Sequence, residues 1–383
     1  MDLGCLLLAA GLLAGEAASG PRALPFTDGG WTLTEGARVS SEGGRPALAI
    51  ETTGLALRRD VSLQDGTIDL DVQVTRRRSF VYLHFRMRDE GEHEEVYLRP
   101  HKSGLGDALQ YAPVWQGNSA WQLHHGPGGT APVEFPLDAP VHVRLVLSGR
   151  KAVLFVGDMA KPALLVPRLA RDPEPGFIGL AGFLPAGVTG SGPIARFSNV
   201  SVRPGFLAYD FAGVPADAPV DEPGSVRAWA VSRSFLPPGG DAPPQMPAAA
   251  LAGPEPWARV EADPSGLVEL HRVVKMPAGE KRRSAAVLRV HVKAETDGLR
   301  AFELGFSDTA LVFLDGRPLF RGEASYSYDA PRREGLIGYD QARLYLPLRA
   351  GDNELAVLVG DSFGGWGIMG RFLEPRGLTV EAR

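Results

Sequence analysis

The chain has 383 residues, 44% of them apolar and 22% charged, with 47 glycines, 32 prolines and a formal net charge of −5. This length predicts two domains, and so many glycines and prolines favour short strands joined by turns. The net negative charge argues against a nucleic-acid-binding protein, which would need a basic surface, so we expect no nucleic-acid partner.

The first 20 residues predict a secretory signal peptide. The apolar run Leu6–Leu13 is too short to span a bilayer, and the small residues Ala17–Ser19 offer a cleavage site. Asp2 stands where a signal peptide carries a basic residue, so a mis-assigned start codon or a buried apolar segment are the alternatives. We expect a secreted or periplasmic protein with no integral membrane segment after cleavage. Since Cys5 is the only cysteine, the mature chain would hold no disulfide, cysteine-zinc site or cysteine nucleophile.

Residues 21–204 form a succession of short alternating segments, beginning with GTIDLDVQV and SFVYLHFRMRD. Successive side chains of a strand point to opposite faces, so each segment has one apolar face. These faces carry Ile68, Leu70, Val72 and Val74 in the first segment, and Val81, Leu83, Phe85 and Met87 in the second. VHVRLVLSGRKAVLFVGD predicts a hairpin that turns near Gly149. Repeated strands without an amphipathic helix predict a β-sandwich.

The other faces of these strands, and the segments after them, carry the candidate ligand-binding residues. EEVYLRP places Glu95, Tyr97 and Arg99 on one face. The whole candidate set is Tyr82, His84, Arg86, Glu95, Tyr97, Arg99, Gln110, Trp115 and Trp121. Aromatic rings stack on sugar faces, while arginine and acids give directional hydrogen bonds. The alternative is an ordinary strand surface on which the arginines pair with neighbouring acids.

Phe26–Pro204 resembles the concanavalin A-like lectin/glucanase jelly roll of the laminin-G-like type, which is attached to many secreted bacterial proteins. The segments that carry the resemblance include GTIDLDVQV, EEVYLRP, VRLVLSGRKAVLFV and the closing ARFSNVSV. The resemblance implies a ligand site on the concave sheet face. It leaves lectin, hydrolase and spacer open, because one fold carries many functions. The catalytic Glu-x-Asp-x-x-Glu pattern of the laminarinase-type enzymes is absent from the sequence.

A change in composition after Pro204 predicts a linker over 205–225 and a second domain over 226–383. Within that domain we expect an entering strand, a Pro-rich surface loop at 236–256 and then two hairpins. Asp315-Gly316 predicts a tight turn between apolar strands, and Asn353 is expected to bond its own turn backbone.

The second domain resembles the galactose-binding-like jelly roll found beside β-galactosidase and β-glucuronidase catalytic domains. VFLDGRPLF and YLPLRAGDNELAVLV carry this resemblance. It implies the fold and either sugar binding or a scaffold role.

Four further residues are candidates in the second domain: Asp308, Tyr326, Tyr328 and Trp366. Asp308 could help to ligate a structural calcium ion, the one cofactor that we consider. The two tyrosines belong to a loop rich in tyrosine and charge. Trp366 lies among glycines in GGWG and is either a stacking platform or a buried anchor, which we favour.

We therefore predict an all-β chain with two β-sandwich (jelly-roll) domains in tandem. The favoured function is an exported, non-catalytic protein that binds a carbohydrate or a glycosylated surface. One alternative is a sugar-processing enzyme that acts through the first domain, which needs two converging carboxylates. The other is a scaffold or adhesion protein with protein partners.

Overall fold

The structure is a computed structural model that describes residues 20–42, 44–214, 223–236, 257–277, 284–327 and 334–383. These residues form strands, one helix of four residues (α1, Leu270–Val273) and two 3-10 turns, Pro100–Lys102 and Tyr339–Gln341. The prediction of an all-β fold is confirmed. In the described part of the chain, no helix is long and apolar enough to cross a membrane. Nearly all of the predicted signal peptide and of the predicted Pro-rich loop lies outside these residues.

The strands up to Pro204 make up what we call the N-terminal module. In chain order they are β1 (Arg22–Ala23), β2 (Thr32–Leu33), β3 (Ala37–Glu42), β4 (Arg45–Ile50), β5 (Gly54–Leu63), β6 (Gly66–Val74), β7 (Phe80–Asp89), β8 (Glu92–Leu98), β9 (Leu109–Trp115), β10 (Asn118–Ser119), β11 (Thr130–Ala131), β12 (Pro140–Ser148), β13 (Lys151–Val156), β14 (Leu164–Val166), β15 (Gly176–Phe183) and β16 (Ala195–Pro204).

Two antiparallel sheets form this module. The first sheet has the order β14-β13-β12-β6-β16-β4-β3, with β1 beside β16. The second sheet has the order β10-β9-β8-β7-β15-β5-β2, with β11 beside β9. The core between them takes the predicted apolar faces of β6 and β7, including Ile68, Leu70, Val72, Val74, Val81, Leu83 and Phe85. The outer face of the second sheet is thereby left to the polar side chains of β7 and β8.

The strands from Ala228 onward make up the C-terminal module. They are β17 (Ala228–Val231), β18 (Ala258–Glu261), β19 (Val268–Glu269), β20 (Ala285–Ala294), β21 (Gly298–Ser307), β22 (Thr309–Leu314), β23 (Arg317–Glu323), β24 (Ala342–Leu348), β25 (Gly351–Gly360), β26 (Gly367–Phe372) and β27 (Leu378–Glu381).

Two antiparallel sheets also form the C-terminal module. One has the order β18-β17-β20-β25-β22-β23, with β27 beside β20, and the other has the order β19-β26-β21-β24. A separate core lies between them, with Trp229, Phe302 and Trp366 among its largest fully buried side chains. The resemblance of this module to the galactose-binding-like jelly roll stays a prediction.

The loop Gln116–His125, which comes after β9 and includes β10, makes packing contacts between the two modules. Gln116 Nε2 donates to the carbonyls of His271 and Val274, at 2.7 and 2.8 Å. Leu123 is buried in a small apolar cluster that includes Ile337 and Met369 of the C-terminal module. The loop thus packs against the C-terminal module while it also borders the outer face of the second sheet.

Candidate functional site

Polar side chains on β7, β8 and β9 meet on the outer face of the second sheet, which we call the polar face. Tyr82 lies opposite Tyr97, and Tyr97 lies opposite Gln110 on the next strand. His84 lies opposite Glu95 in the same register. The alternation predicted from the sequence therefore brings these five candidates together on one face. The residues next to them along each strand point to the opposite face and fill the core.

The most concentrated chemistry on the polar face is a buried trio of His84, His93 and Glu95. His84 Nε2 lies 3.3 Å from Glu95 Oε2, and His93 Nε2 lies 3.8 Å from the same oxygen. Ser119, on the short strand β10, donates to Glu95 Oε1 at 2.7 Å. The two imidazole rings are 4.4 Å apart between centroids. Both carboxylate oxygens of Glu95 thus face polar groups inside the protein.

Burial and close contacts set the charge states of this trio. Burial raises the pKa of Glu95, but the contacts with His84 and His93 outweigh it and lower the pKa to about 2. Burial, with His93 close by, lowers the pKa of His84 below its usual range, although Glu95 opposes the shift. At neutral pH, Glu95 is therefore ionised and His84 is a neutral imidazole.

A second row of hydrogen bonds continues the polar face toward the end of β8. Arg99 Nη2 donates to the Tyr97 hydroxyl at 2.8 Å and to Gln110 Oε1 at 2.5 Å, while Arg99 Nη1 pairs with Asp107. Gln110 Nε2 donates to the carbonyls of Trp121 and His124. Burial raises the pKa of Tyr97 above its usual range, so its hydroxyl stays protonated. The row fixes the orientation of the Arg99 guanidinium.

Aromatic rings stand around Arg99 at the border of the polar face. Its guanidinium lies 5.9 Å from the centroid of Phe80 and 5.6 Å from that of Trp121. The Phe80 ring is 6.0 Å from Phe183, which is exposed. Trp121 makes an edge contact at 5.8 Å with Tyr326 of the C-terminal module. The predicted candidates Trp121 and Tyr326 thus meet, although they come from different modules.

The structure places Arg86 away from the other candidates. A bulge interrupts the pairing of β7 with β8 after Phe85, and Arg86 has a positive φ of 48°. The extra residue turns Arg86 toward Glu94, Asp65 and the Gly149 carbonyl, at 3.4, 3.1 and 2.7 Å. The expectation that Arg86 shares a face with Tyr82 and His84 is therefore wrong, because it assumed unbroken alternation.

Trp115 is likewise outside the polar face. Gln110 and Ala112 pair with Tyr97 and Glu95 on that face, so Trp115, at an odd position of β9, points to the other side. The Arg171 guanidinium lies 3.9 Å from the centroid of its ring. Arg171 also binds Glu92 and the Val114 carbonyl. Trp115 thus packs in a structural ion-pair cluster and does not border the candidate site.

Three of the four C-terminal candidates, Trp366, Tyr326 and Tyr328, have three different outcomes. Trp366 is fully buried, its Nε1 donates to the Val359 carbonyl at 3.1 Å, and no face of its ring can stack on a ligand. Tyr326 belongs to the aromatic border around Arg99 and Trp121. Tyr328 lies outside the described residues.

Asp308 is buried at the junction of β21 and β22, where it holds the loop that precedes Trp366. Its Oδ2 accepts hydrogen bonds from Ser362 N, Ser362 Oγ and Phe363 N, at 2.6, 2.7 and 2.7 Å. Burial raises the pKa of Asp308 to about 6, although these hydrogen bonds oppose the shift. The structure therefore gives this carboxylate a role in the loop, and calcium binding here stays a prediction.

His93 was not among the residues predicted from the sequence, although it belongs to the trio. The signal was available: His93 and Glu95 are two positions apart in EHEEVYL, so they share a strand face with the predicted residues. The register that brings His84 of β7 beside them depends on how the two strands pair, and the sequence does not show it.

A separate cleft of about 200 Å³ lies between the modules. Its lining includes Tyr111, His124, Arg150, Glu269 and Arg272, and none of the trio. His124 Nε2 lies 3.4 Å from Glu269 Oε2, across the junction. Tyr111 is the one phenylalanine, tyrosine or tryptophan among the described residues that line this cleft, whereas several aromatic rings surround Arg99, so we take the polar face as the candidate site.

No protein-family model and no curated protein matches the chain. Among solved structures, a carbohydrate-binding module from Bacillus subtilis matches 45% of this chain and 95% of its own, with 14% identity and a TM-score of 0.34. A Bacillus licheniformis beta-glucanase matches 49% and 99%, with 13% identity and a TM-score of 0.36. The potassium-bound carbohydrate recognition domain of Emp46p matches 45% and 87%, with 16% identity and a TM-score of 0.33.

These neighbours are a carbohydrate-binding module, a glucanase and a carbohydrate recognition domain, and each covers about half of this chain. Because their TM-scores are below 0.5, the likenesses carry no argument about the function of this chain. The fold rests on the sheets themselves, and the function is inferred from the side chains of the polar face.

Proposed function

We propose that the protein binds a carbohydrate, free or on a glycosylated surface outside the cell, at the polar face of the N-terminal module. The observation that carries this proposal is the Arg99 guanidinium fixed among aromatic rings. Sugars are bound in this way, with rings against their C–H faces and directional hydrogen bonds to their hydroxyls. The proposal of an extracellular location is supported by the N-terminal sequence alone.

Two features of the border support the proposal. Phe183 and Phe363 are exposed apolar rings, 43% and 40% accessible, and they neighbour Phe80 and Trp121 respectively. These two exposed rings lie beside the buried polar row, where they could pack against the C–H face of a sugar. The ring of Tyr82, 5.1 Å from Tyr97, adds a half-buried surface between the border and the trio.

The test is a glycan array on the full chain, and then calorimetric titration with each glycan that binds. We expect Phe183→Ala and Trp121→Ala each to weaken binding by about 2- to 10-fold, the size of one aromatic contact. Tyr345→Ala is the matched control, since Tyr345 is 63% exposed on β24 of the other module. Absence of glycan binding by the wild type, or an equal loss in Tyr345→Ala, would refute the proposal.

The ionised Glu95 beside the neutral His84 favours one second candidate, a sugar-processing enzyme. A buried carboxylate and imidazole 3.3 Å apart can pass a proton to or from a substrate hydroxyl. A glycosidase of the two-carboxylate type is not supported by the neighbouring acid, because Glu94 points to the opposite face and binds Tyr111. Mass analysis of each bound glycan after incubation tests this candidate, with Glu95→Gln expected to stop any conversion.

A further inference from the structure

The trio of His84, His93 and Glu95 combines the ligand types that transition metals prefer. One donor atom from each residue lies within 4.8 Å of the others, and all three residues are buried. Among the described residues, this is the one group of three histidine, cysteine or acidic side chains that meets this criterion. Two imidazoles and one carboxylate are a set found in three-ligand zinc sites.

The spacing of the donor atoms fits a single ion. Zinc binds nitrogen and oxygen at about 2.0–2.1 Å, so two donors of a tetrahedral site lie roughly 3.3–3.5 Å apart. The two nitrogen–oxygen distances to Glu95 Oε2 are 3.3 and 3.8 Å. The first distance matches this spacing, and the second exceeds it by about 0.3 Å and is too long for a hydrogen bond.

His93 supplies a second, independent observation. It is only 4% exposed, yet neither of its ring nitrogens has a hydrogen-bond partner among the described residues. A buried polar atom without a partner costs about 1–3 kcal/mol, so such atoms are rare in folded proteins. Its Nε2 lies on the side of Glu95. Coordination of an ion through this nitrogen would satisfy it, whereas no hydrogen bond to a described residue does so.

We propose that His84, His93 and Glu95 bind one divalent transition-metal ion, with zinc as the best fit. The mixed nitrogen and oxygen donors disfavour calcium and magnesium, which prefer oxygen ligands. Ser119 holds the other oxygen of Glu95 and so fixes the direction of the carboxylate, as groups around a metal site do. Three protein ligands are the number at which zinc keeps a further position for water or a substrate.

The experiment titrates chelator-treated full-length protein with Zn²⁺ alone in a calorimeter and records the absorption spectrum after Co²⁺ is added instead. The wild type is expected to bind one ion per chain and to give the intense visible bands of tetrahedral Co²⁺. His93→Gln and Glu95→Gln should weaken binding by more than about 100-fold, because changing a group that only orients a ligand already costs about 10- to 100-fold.

His142→Gln is the matched control. His142 lies between Asp69 and Asp71 on the first sheet of the same module, half-exposed, so it tests for adventitious binding by an imidazole beside carboxylates. We expect it to bind Zn²⁺ like the wild type. Equal binding by wild type and His93→Gln, a loss in His142→Gln, or no uptake by the wild type would each overturn the proposal.

Circular dichroism checks that the variants fold. If His93→Gln does not fold, Ser119→Ala keeps the proposal open to refutation, because it leaves the three donors in place and should weaken Zn²⁺ binding by about 10-fold. An unchanged affinity in Ser119→Ala would then contradict the site. Since no sugar is present in these titrations, failure of the metal site is distinguishable from failure of the carbohydrate proposal.

Discussion

At the scale of the residue, three tryptophans of the chain lie in three different surroundings. Trp115, Trp121 and Trp366 were three candidates of one type. The structure buries Trp366, stacks Trp115 against Arg171 and leaves Trp121 beside Arg99. The sequence around Trp366 indicated a bend rich in glycine, from which we favoured the buried anchor. Nothing local to the other two distinguishes them, because partners distant in the chain determine their positions.

Asp308 gives a prediction about pH at this scale. Its pKa is about 6 in the folded protein, raised by burial from the ordinary 3.8. A carboxyl whose pKa is raised on folding stabilises the protein while it is protonated. That contribution is lost as the pH rises from about 4 through 6, because the buried group must then ionise. The resulting decrease in the free energy of unfolding should reach about 3 kcal/mol by pH 7.

The variant Asp308→Asn isolates this effect. Asparagine keeps an oxygen that accepts the bonds from Ser362 and Phe363, and it stays neutral at every pH. Urea unfolding of both proteins at pH 4, 5, 6 and 7 measures the difference in the free energy of unfolding. We expect this difference to move in favour of the variant as the pH rises. A difference that stays constant from pH 4 to pH 7 would contradict the raised pKa.

At the scale of the element, alternation predicted most of the strand faces and failed at one bulge. The faces of β6, β8 and the first half of β7 match the pattern. Past Phe85, Arg86 adopts a positive φ. Met87 Sδ then lies 3.0 Å from the position that a Cβ on Gly179 would occupy. Gly179 pairs with His84 on the polar face, so Met87 has changed sides. A period-two pattern contains no sign of an inserted residue, which is fixed by the partner strands.

The hairpin between β22 and β23 was predicted correctly and offers a clean test. Asp315 and Gly316 have φ of 49° and 74°, the two positive values of a type I′ turn. A Cβ at Gly316 would have no atom of a described residue within 4 Å, so Gly316→Ala probes the backbone conformation without a clash. We expect it to lower the free energy of unfolding by about 1 kcal/mol.

Gly106→Ala is the control for this change. Gly106 also has open space around its Cβ position, and its φ is not in the left-handed region. Its substitution should leave the free energy of unfolding equal or slightly higher, since alanine restricts the unfolded chain. Chemical denaturation of both variants gives the comparison. Equal losses in the two would mean that the turn conformation contributes nothing.

At the scale of the whole molecule, the candidate site depends on how the modules meet. The sequence predicted the strands of both modules, yet it contained no sign that Tyr326 would contact Trp121. The contact arises because the loop Gln116–His125 extends from the second sheet and packs on the C-terminal module. His125 Nε2 lies 2.7 Å from the Ile337 carbonyl, and Gln122 Nε2 donates to that of Glu334 at 3.0 Å. Contacts between residues so distant in the chain leave no local pattern in the sequence.

Leu123→Asp tests whether this packing holds the molecule together. Leu123 is buried against Leu267, Ile337 and Met369, where an unpaired carboxylate would cost several kcal/mol. We expect the junction to open, so that small-angle scattering gives a larger radius of gyration and calorimetry resolves two unfolding transitions. Glycan binding should weaken as well, because the border around Trp121 loses Tyr326. Leu105→Asp, at a position 57% exposed, controls for the added charge and should match the wild type in all three measurements. An unchanged scattering curve for a folded Leu123→Asp would mean that the two modules hold together without this loop.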